Sequence, residues 1–251
     1  MSIQETVPAA PPYARLYHWT FFVHLWTLTG IAFATFALKA TLDGDFDTAA
    51  RLLFGVLLVD FTDGTLARSL NVKQRMPLIS GEIIDHIHDL IGLTFVPMVF
   101  FWKSGLFLEP YGFALVVGAT LAATLKYAMK PNLLALGYSI GAPPIFLSIF
   151  LCYFLEFSAT LSTIYAVGLI GLVLLPIPFP ITSLVTTHWK PGWQSITNYL
   201  VFSSAAPILI YLKDAPRILF WALFANVVFQ LTVFPLLLHF RVIKPGFRRE
   251  Y

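Results

Sequence analysis

Asp60-Phe61-Thr62-Asp63-Gly64-Thr65-Leu66-Ala67-Arg68, twelve further residues, then Gly81-Glu82-Ile83-Ile84-Asp85-His86-Ile87-His88-Asp89: this stretch brings four aspartates into strongly apolar sequence. Asp60, Asp63 and Asp89 lie inside apolar segments, and Asp85 lies one helical turn before Asp89. A charged side chain at mid-membrane costs about 2.5–3.5 kcal/mol on insertion scales, so four acids this close together demand a function. At about 100° per residue, Asp60, Asp63, Gly64 and Ala67 share an arc of about 100° on one helix, and Gly81, Asp85 and Asp89 share about 80° on the next. The short connection makes the two helices antiparallel neighbours, so the acidic faces are predicted to converge. Four carboxylates cannot all stay ionised at one point without cations. Two divalent, oxygen-preferring ions, Mg²⁺ or Mn²⁺, answer that requirement. Gly64, Ala67 and Gly81 leave room on the same faces for a ligand to approach the backbone, and Arg68 is placed to meet an anionic group. A structural ion-pair network or an ion-transport path would use single acids of this kind. Small residues interleaved with acids on two matched faces favour a catalytic metal site.

The surrounding chain puts this stretch in a membrane. Of 251 residues, 58% are hydrophobic and 12% charged, with a mean hydropathy of +0.78. Soluble domains carry about 25% charged residues, so lipid must cover much of this surface. The single cysteine, Cys152, excludes an internal disulfide framework and reads as a small core residue. A net charge of +3 with no basic block argues against a nucleic-acid binder.

Apolar stretches near 18–38, 49–69, 82–102, 111–128, 138–156, 160–179, 195–212 and 217–239 predict an all-α bundle of about eight transmembrane helices. Turn residues separate them, as at Asp43-Gly44-Asp45, Lys130-Pro131-Asn132 and Lys190-Pro191-Gly192. The run Pro176-Ile177-Pro178-Phe179-Pro180 is expected to end a span. Residues 12–20, with aromatics at headgroup depth, predict a short interfacial helix. Residues 1–12 read as disordered, without the basic start of a cleavable signal, so the first apolar segment is expected to be a permanent span. The whole of 1–251 reads as one integral-membrane domain. Eleven of the sixteen Lys and Arg fall on one side of the predicted topology, so both termini and the loop joining the second and third spans are expected in the cytoplasm.

The aspartate stretch also carries a family resemblance. Asp60, Asp63, Gly64, Ala67, Arg68, Gly81, Asp85 and Asp89 match the Asp-x2-Asp-Gly-x2-Ala-Arg … Gly-x3-Asp-x3-Asp motif of the CDP-alcohol phosphotransferases in full. Most of that family has eight residues between Arg68 and Gly81; the twelve here are similar to the bacterial phosphatidylcholine synthases. His24-Leu25-Trp26-Thr27 with Gly30, Val72-Lys73 with Pro77, and Phe95-Val96-Pro97 also resemble that subfamily, over roughly residues 20–105.

The resemblance implies that Asp60, Asp63 and Asp85 ligate two metal ions and that Asp89 is the general base, also touching one metal. Gly64, Ala67, Arg68 and Gly81 would surround the CDP moiety. The implied reaction is attack of an alcohol, choline in this subfamily, on CDP-diacylglycerol with release of CMP, by a multi-pass protein of the bacterial inner membrane whose site faces the cytoplasm. The family often forms homodimers.

The chain departs from the subfamily at Ser80 (usually Asp), at His86 (usually Asn), across Lys126-Tyr127-Ala128-Met129-Lys130, and at Gly141-Ala142-Pro143-Pro144-Ile145-Phe146-Leu147. These segments would hold the acceptor. Serine, inositol-phosphate or glycerol-phosphate acceptors therefore stay open, with Lys126 and Lys130 available for a phosphate. A cation-coupled transporter is the reading from a different class. It would need broken helices in two symmetric halves, and the acids lie only in the first. Trp102, Tyr127, Tyr138, Phe146, Tyr153 and Trp189 are aromatic candidates for a quaternary ammonium, although packing or anchoring is the ordinary role of each. His188 reads as an interfacial anchor beside Trp189. His86 and His88 flank Asp89 but point about 160° apart, so both cannot face one metal.

Overall fold

The computed structural model describes residues 20–76, 79–129, 138–142, 146–180 and 216–233. The predicted interfacial helix, the seventh span at 195–212, the end of the eighth, Lys130, His188, Trp189, Lys190 and both chain termini lie outside the described residues.

Helix α1 (Phe21–Leu42) and helix α2 (Phe46–Ser69) form a close antiparallel pair. Their connection is short because Gly44 takes φ +80° and Asp45 caps α2, its carboxylate accepting from the Thr48 amide at 3.1 Å. Asn71, at φ 51°, turns the chain out of α2 into a single helical turn, α3 (Val72–Arg75). The next rod begins with α4 (Gly81–His88), whose Ser80 cap accepts from the Ile83 amide at 3.3 Å. Serine and aspartate are both strong N-caps, so the departure at position 80 keeps the helix start.

Between Asp89 and Phe95 the same rod widens into a π-helical turn before continuing as α5 (Val96–Lys103). Pro97 explains the widening. It has no N–H for the preceding turn and its ring crowds the carbonyl four residues back. The i→i+5 pattern, seen in the Val96 amide bonding to the Ile91 carbonyl, is the local way round it. Gly92 within the turn lets α2 approach, since a Cβ there would lie 2.5 Å from Val56 Cγ1. Beyond the turn, Val96 through Phe101 are all buried, so α5 runs through the centre of the bundle.

Helix α6 (Gly112–Ala128) packs against the π turn and against α8 (Ala159–Leu174). The predicted fifth span is not a continuous helix. Tyr138–Ile140 form a short strand β1, Gly141 turns at φ +76°, and a 3₁₀ segment (Phe146–Ile149) leads into the brief helix α7 (Phe150–Phe154). A side chain at Gly141 would collide with the Val173 carbonyl, so glycine is required there. The predicted sixth span ends early, at Leu174. Pro178–Pro180 then form strand β2, which pairs antiparallel with β1 through Tyr138↔Pro180, Ser139↔Phe179 and Ile140↔Pro178. Helix α9 (Arg217–Val228) continues into a second π turn, Phe229–Val233.

Among the described residues the architecture is a multi-helix α bundle with one small β pairing. Among the described residues, two rods are long and apolar enough to cross a bilayer: Phe21–Leu42 and Gly81–Lys103. Large apolar side chains also face outward, including Phe22, Phe36, Leu121, Ile164 and Ile218, as lipid contact requires. The core is aromatic. Phe100 meets Phe46, Phe101, Phe150 and Tyr153 at centroid distances of 4.8–5.5 Å, and Phe154 stacks on Phe220. Cys152 is buried within this core.

Candidate active site

The acidic end is built by two rods. The C-terminal half of α2 supplies Asp60 and Asp63, α4 supplies Asp85 and His88, and Asp89 opens the π turn that continues α4. Both rods are fixed to α1 at this level by Trp26, whose indole N–H donates to Thr62 Oγ1 at 2.7 Å, and by Gly30, against which the His88 ring lies. The side chains of Asp60 and Asp89 are within hydrogen-bonding reach of each other. Asp85 is close enough to Asp60, Asp63 and Asp89 to feel the charge of each, with the Arg68 guanidinium nearby. Asp63 is only 4% exposed and lies beside Thr27 of α1.

Polar atoms at this end are short of partners. Among the described residues, Asp63 Oδ2, Asp89 Oδ1 and both ring nitrogens of His88 are buried without a hydrogen bond. Native interiors rarely leave such atoms unpaired. Two carboxyls in contact must share either a proton or a cation. One ligand atom from each of Asp60, His88 and Asp89 can be chosen so that all lie within 4.8 Å of one another, a group able to hold one divalent ion. The donor chemistry fits a metal: carboxylate oxygens and imidazole nitrogens meet here, and among them Asp63 Oδ2, Asp89 Oδ1 and both His88 nitrogens have no hydrogen-bond partner.

The remaining predicted residues sit around this cluster. Gly64 is half-buried, and a Cβ there would lie 3.2 Å from Arg68 Nη1, so glycine makes room for the guanidinium. Arg68 is otherwise exposed and touches Thr65 Oγ1 at 3.4 Å. Gly81 is exposed at the start of α4 and faces the His24 ring. Ala67 packs against a small apolar cluster of Val23, Val72 and Met76.

Tyr127, near the end of α6, donates from its hydroxyl to Asp89 Oδ2 at 3.1 Å. Its ring lies 4.9 Å from that of His86. The two histidines thus take different surroundings, His88 inward among the acids and His86 against Tyr127. Lys126 donates to the Gly141 carbonyl at 2.9 Å, which ties α6 to the β1 turn. Of the other aromatic candidates, Trp102 packs over Gly112, while Phe146 and Tyr153 lie in the core. Periodicity within one helix offers no pairing of Tyr127 with Asp89, because the contact joins residues 38 apart on different rods. The burial of His88 had one visible signal, a glycine at position 30 of the facing helix.

Comparison with known proteins places this geometry. A profile of the CDP-alcohol phosphatidyltransferase family matches residues 22–189. The chain belongs to the CDP-alcohol phosphatidyltransferase family. Within curated proteins it is similar to the phosphatidylcholine synthase of Borreliella burgdorferi, with 31% identity over 106 residues, 42% of this chain and 45% of that one. It is also similar to the phosphatidylcholine synthases of Rhizobium johnstonii (28% over 169 residues, 67% of this chain and 69% of that one) and Pseudomonas aeruginosa (32% over 122 residues, 48% and 51%). The match therefore spans about half the length of the Borreliella and Pseudomonas proteins.

Proposed function

We propose that this protein is a phosphatidyltransferase that joins choline to the phosphatidyl group of CDP-diacylglycerol, giving phosphatidylcholine and CMP. The observation that carries this reading is the gathering of Asp60, Asp63, Asp85 and Asp89 from two rods into one buried, under-satisfied acidic cluster. Asp60, Asp63 and Asp85 would hold two divalent ions, Mn²⁺ or Mg²⁺, with Asp89 also able to reach one of them. When bound, the ions neutralise the diphosphate and the CMP that leaves.

Asp89 takes the proton of the alcohol hydroxyl as its oxygen attacks the phosphatidyl phosphorus. The bond from that phosphorus to the bridging oxygen breaks, and CMP departs with the oxygen and its electron pair. Tyr127, bonded to the other Asp89 oxygen, keeps the carboxylate turned toward the acceptor. Arg68, Gly64 and Gly81, on the open side of the cluster, receive the CDP moiety, and Ala67 supports that wall from its apolar contact. The diacylglycerol chains stay in lipid. Choline is preferred because the relatives that match are phosphatidylcholine synthases, and because the His86–Tyr127 ring pair beside Asp89 suits a quaternary ammonium. The proposed setting is a bacterial inner membrane, with the acidic end open to the cytoplasm, where choline and the nucleotide are supplied.

The test is CMP release by purified protein given CDP-diacylglycerol, Mn²⁺ or Mg²⁺, and a panel of alcohols. Choline is expected to release CMP with formation of phosphatidylcholine. Release with serine, inositol-phosphate or glycerol-phosphate but not choline would move the acceptor assignment. No release with any alcohol would remove the enzyme reading.

A further inference from the structure

His88 is fully buried, yet neither ring nitrogen has a hydrogen-bond partner among the described residues. Buried imidazoles ordinarily satisfy at least one nitrogen, by a carboxylate, a backbone carbonyl, a water or a metal. Here the ring is held by shape. A Cβ at position 30 would lie 2.1 Å from Nε2, so only a glycine on α1 admits it. Nδ1 is 3.5 Å from Asp89 Oδ1, and that oxygen is itself unpartnered. One histidine atom, one Asp60 oxygen and one Asp89 oxygen fall within 4.8 Å of one another. Around an ion with bonds of about 2.1 Å, ligand atoms sit about 3.0 Å apart when adjacent and about 4.2 Å apart when opposite. The 4.8 Å bound exceeds the opposite spacing by about 0.6 Å and the adjacent spacing by about 1.8 Å, so the three side chains would draw in by up to that much to close onto one cation.

We infer that His88 is a nitrogen ligand of the ion held between Asp60 and Asp89, so that this chain binds at least one of its cations through a mixed carboxylate–imidazole set. The inference rests on the metal-site reading above and adds to it a ligand outside the eight-residue motif. It also has a chemical consequence. Imidazole nitrogen favours transition ions such as Mn²⁺ over Mg²⁺, which keeps to oxygen ligands. Occupied by Mn²⁺, the site would leave no orphan at the coordinating nitrogen. His86, turned toward Tyr127, takes no part.

The experiment is pulsed electron paramagnetic resonance on the full chain in detergent, stripped with chelator and loaded with Mn²⁺ alone. The expected spectrum carries modulation from a directly bound imidazole ¹⁴N, and this changes to the ¹⁵N pattern in protein grown on ¹⁵N-histidine. That labelling needs no substitution, so the test survives a variant that does not fold. In His88→Ala the histidine coupling is expected to vanish and Mn²⁺ affinity to fall at least about tenfold, while His86→Gln keeps both. Bound Mn²⁺ without histidine coupling would overturn the inference and leave the carboxylate site standing. A coupling that survives His88→Ala but not His86→Gln would assign the ligand to the wrong histidine for this account. Failure of the unaltered protein to bind Mn²⁺ would overturn the metal reading itself, and the inference with it.

Discussion

The two ends of α2 are packed by opposite rules. Near its start, Leu53, Phe54 and Leu57 are buried in an aromatic core where Phe54 faces Phe150 at 5.5 Å and Phe100 meets four other rings. Less than two turns beyond Leu57, Asp60 and Asp63 point into a region of carboxylates, imidazole and glycine, with buried polar atoms left unpaired. The first end is complete as it stands. The second leaves carboxylate and imidazole atoms without hydrogen-bond partners. The rod α4–α5 repeats the division, acids before and at the opening of the π turn and buried aromatics after it, so the π turn and Gly92 mark the boundary on that side. Apolar packing at one end supplies the rigidity with which the other holds like charges together.

That contrast can be broken most severely at Asp89. Asp89→Asn keeps the shape and removes the base, and CMP formation is expected to fall by about 10²–10⁴-fold while nucleotide binding, measured by calorimetry, persists. Loss of nucleotide binding instead would make Asp89 chiefly a ligand. At the other end, Phe100→Ala opens a cavity among four rings and is expected to destabilise by about 3–5 kcal/mol. A thermal scan should show it, with Mn²⁺ affinity of the folded fraction unchanged. A variant that lost metal and stability together would deny the independence of the two ends.

The boundary can be probed at Gly92. Gly92→Ala sets a Cβ 2.5 Å from Val56 Cγ1, an overpacking worth about 1–3 kcal/mol, and Val56→Ala in the same chain is expected to restore the melting temperature. Tyr127→Phe removes one hydrogen bond to Asp89, worth about 0.5–1.5 kcal/mol, so kcat should fall about 2–12-fold with KM for CDP-diacylglycerol unchanged. A matching rise in KM would place Tyr127 in lipid-nucleotide binding. The smallest effect belongs to an exposed ion pair at the α1–α2 connection. Lys39→Ala, which removes the contact to Asp43, should change stability by less than about 0.5 kcal/mol.

The acidic stripes were legible because helical periodicity and a short connection suffice to bring Asp60, Asp63, Asp85 and Asp89 to neighbouring faces. So was the membrane class, which follows from composition. The fifth span was misjudged because hydropathy cannot tell a transmembrane rod from apolar chain that is buried in other conformations, whereas the sixth is a helix that stops before the proline run expected to end it. Gly141 at positive φ and the prolines at 176, 178 and 180 break the helical pattern and give instead a short helix, a 3₁₀ turn and a β pairing. The π turn was equally hidden. Pro97 was visible, but a proline in a helix can produce a kink, a break or a widened turn, and packing against α2 decides among them. His88 and Tyr127 depend on which rods meet at Asp89, and a single helix's periodicity carries no such information. For His88, its opposite number Gly30 was in view, yet only the pairing of α1 with α4 gives that glycine its meaning.

The central claim is that the acidic end works as a metal-dependent phosphatidyl-transfer site. It is tested most directly by measuring CMP formation from CDP-diacylglycerol and choline in protein stripped with chelator, then restored with Mn²⁺ or Mg²⁺. The account predicts no turnover in the stripped protein and recovery on adding the divalent ion. Turnover that continues without metal, or none with metal and any alcohol, would contradict it.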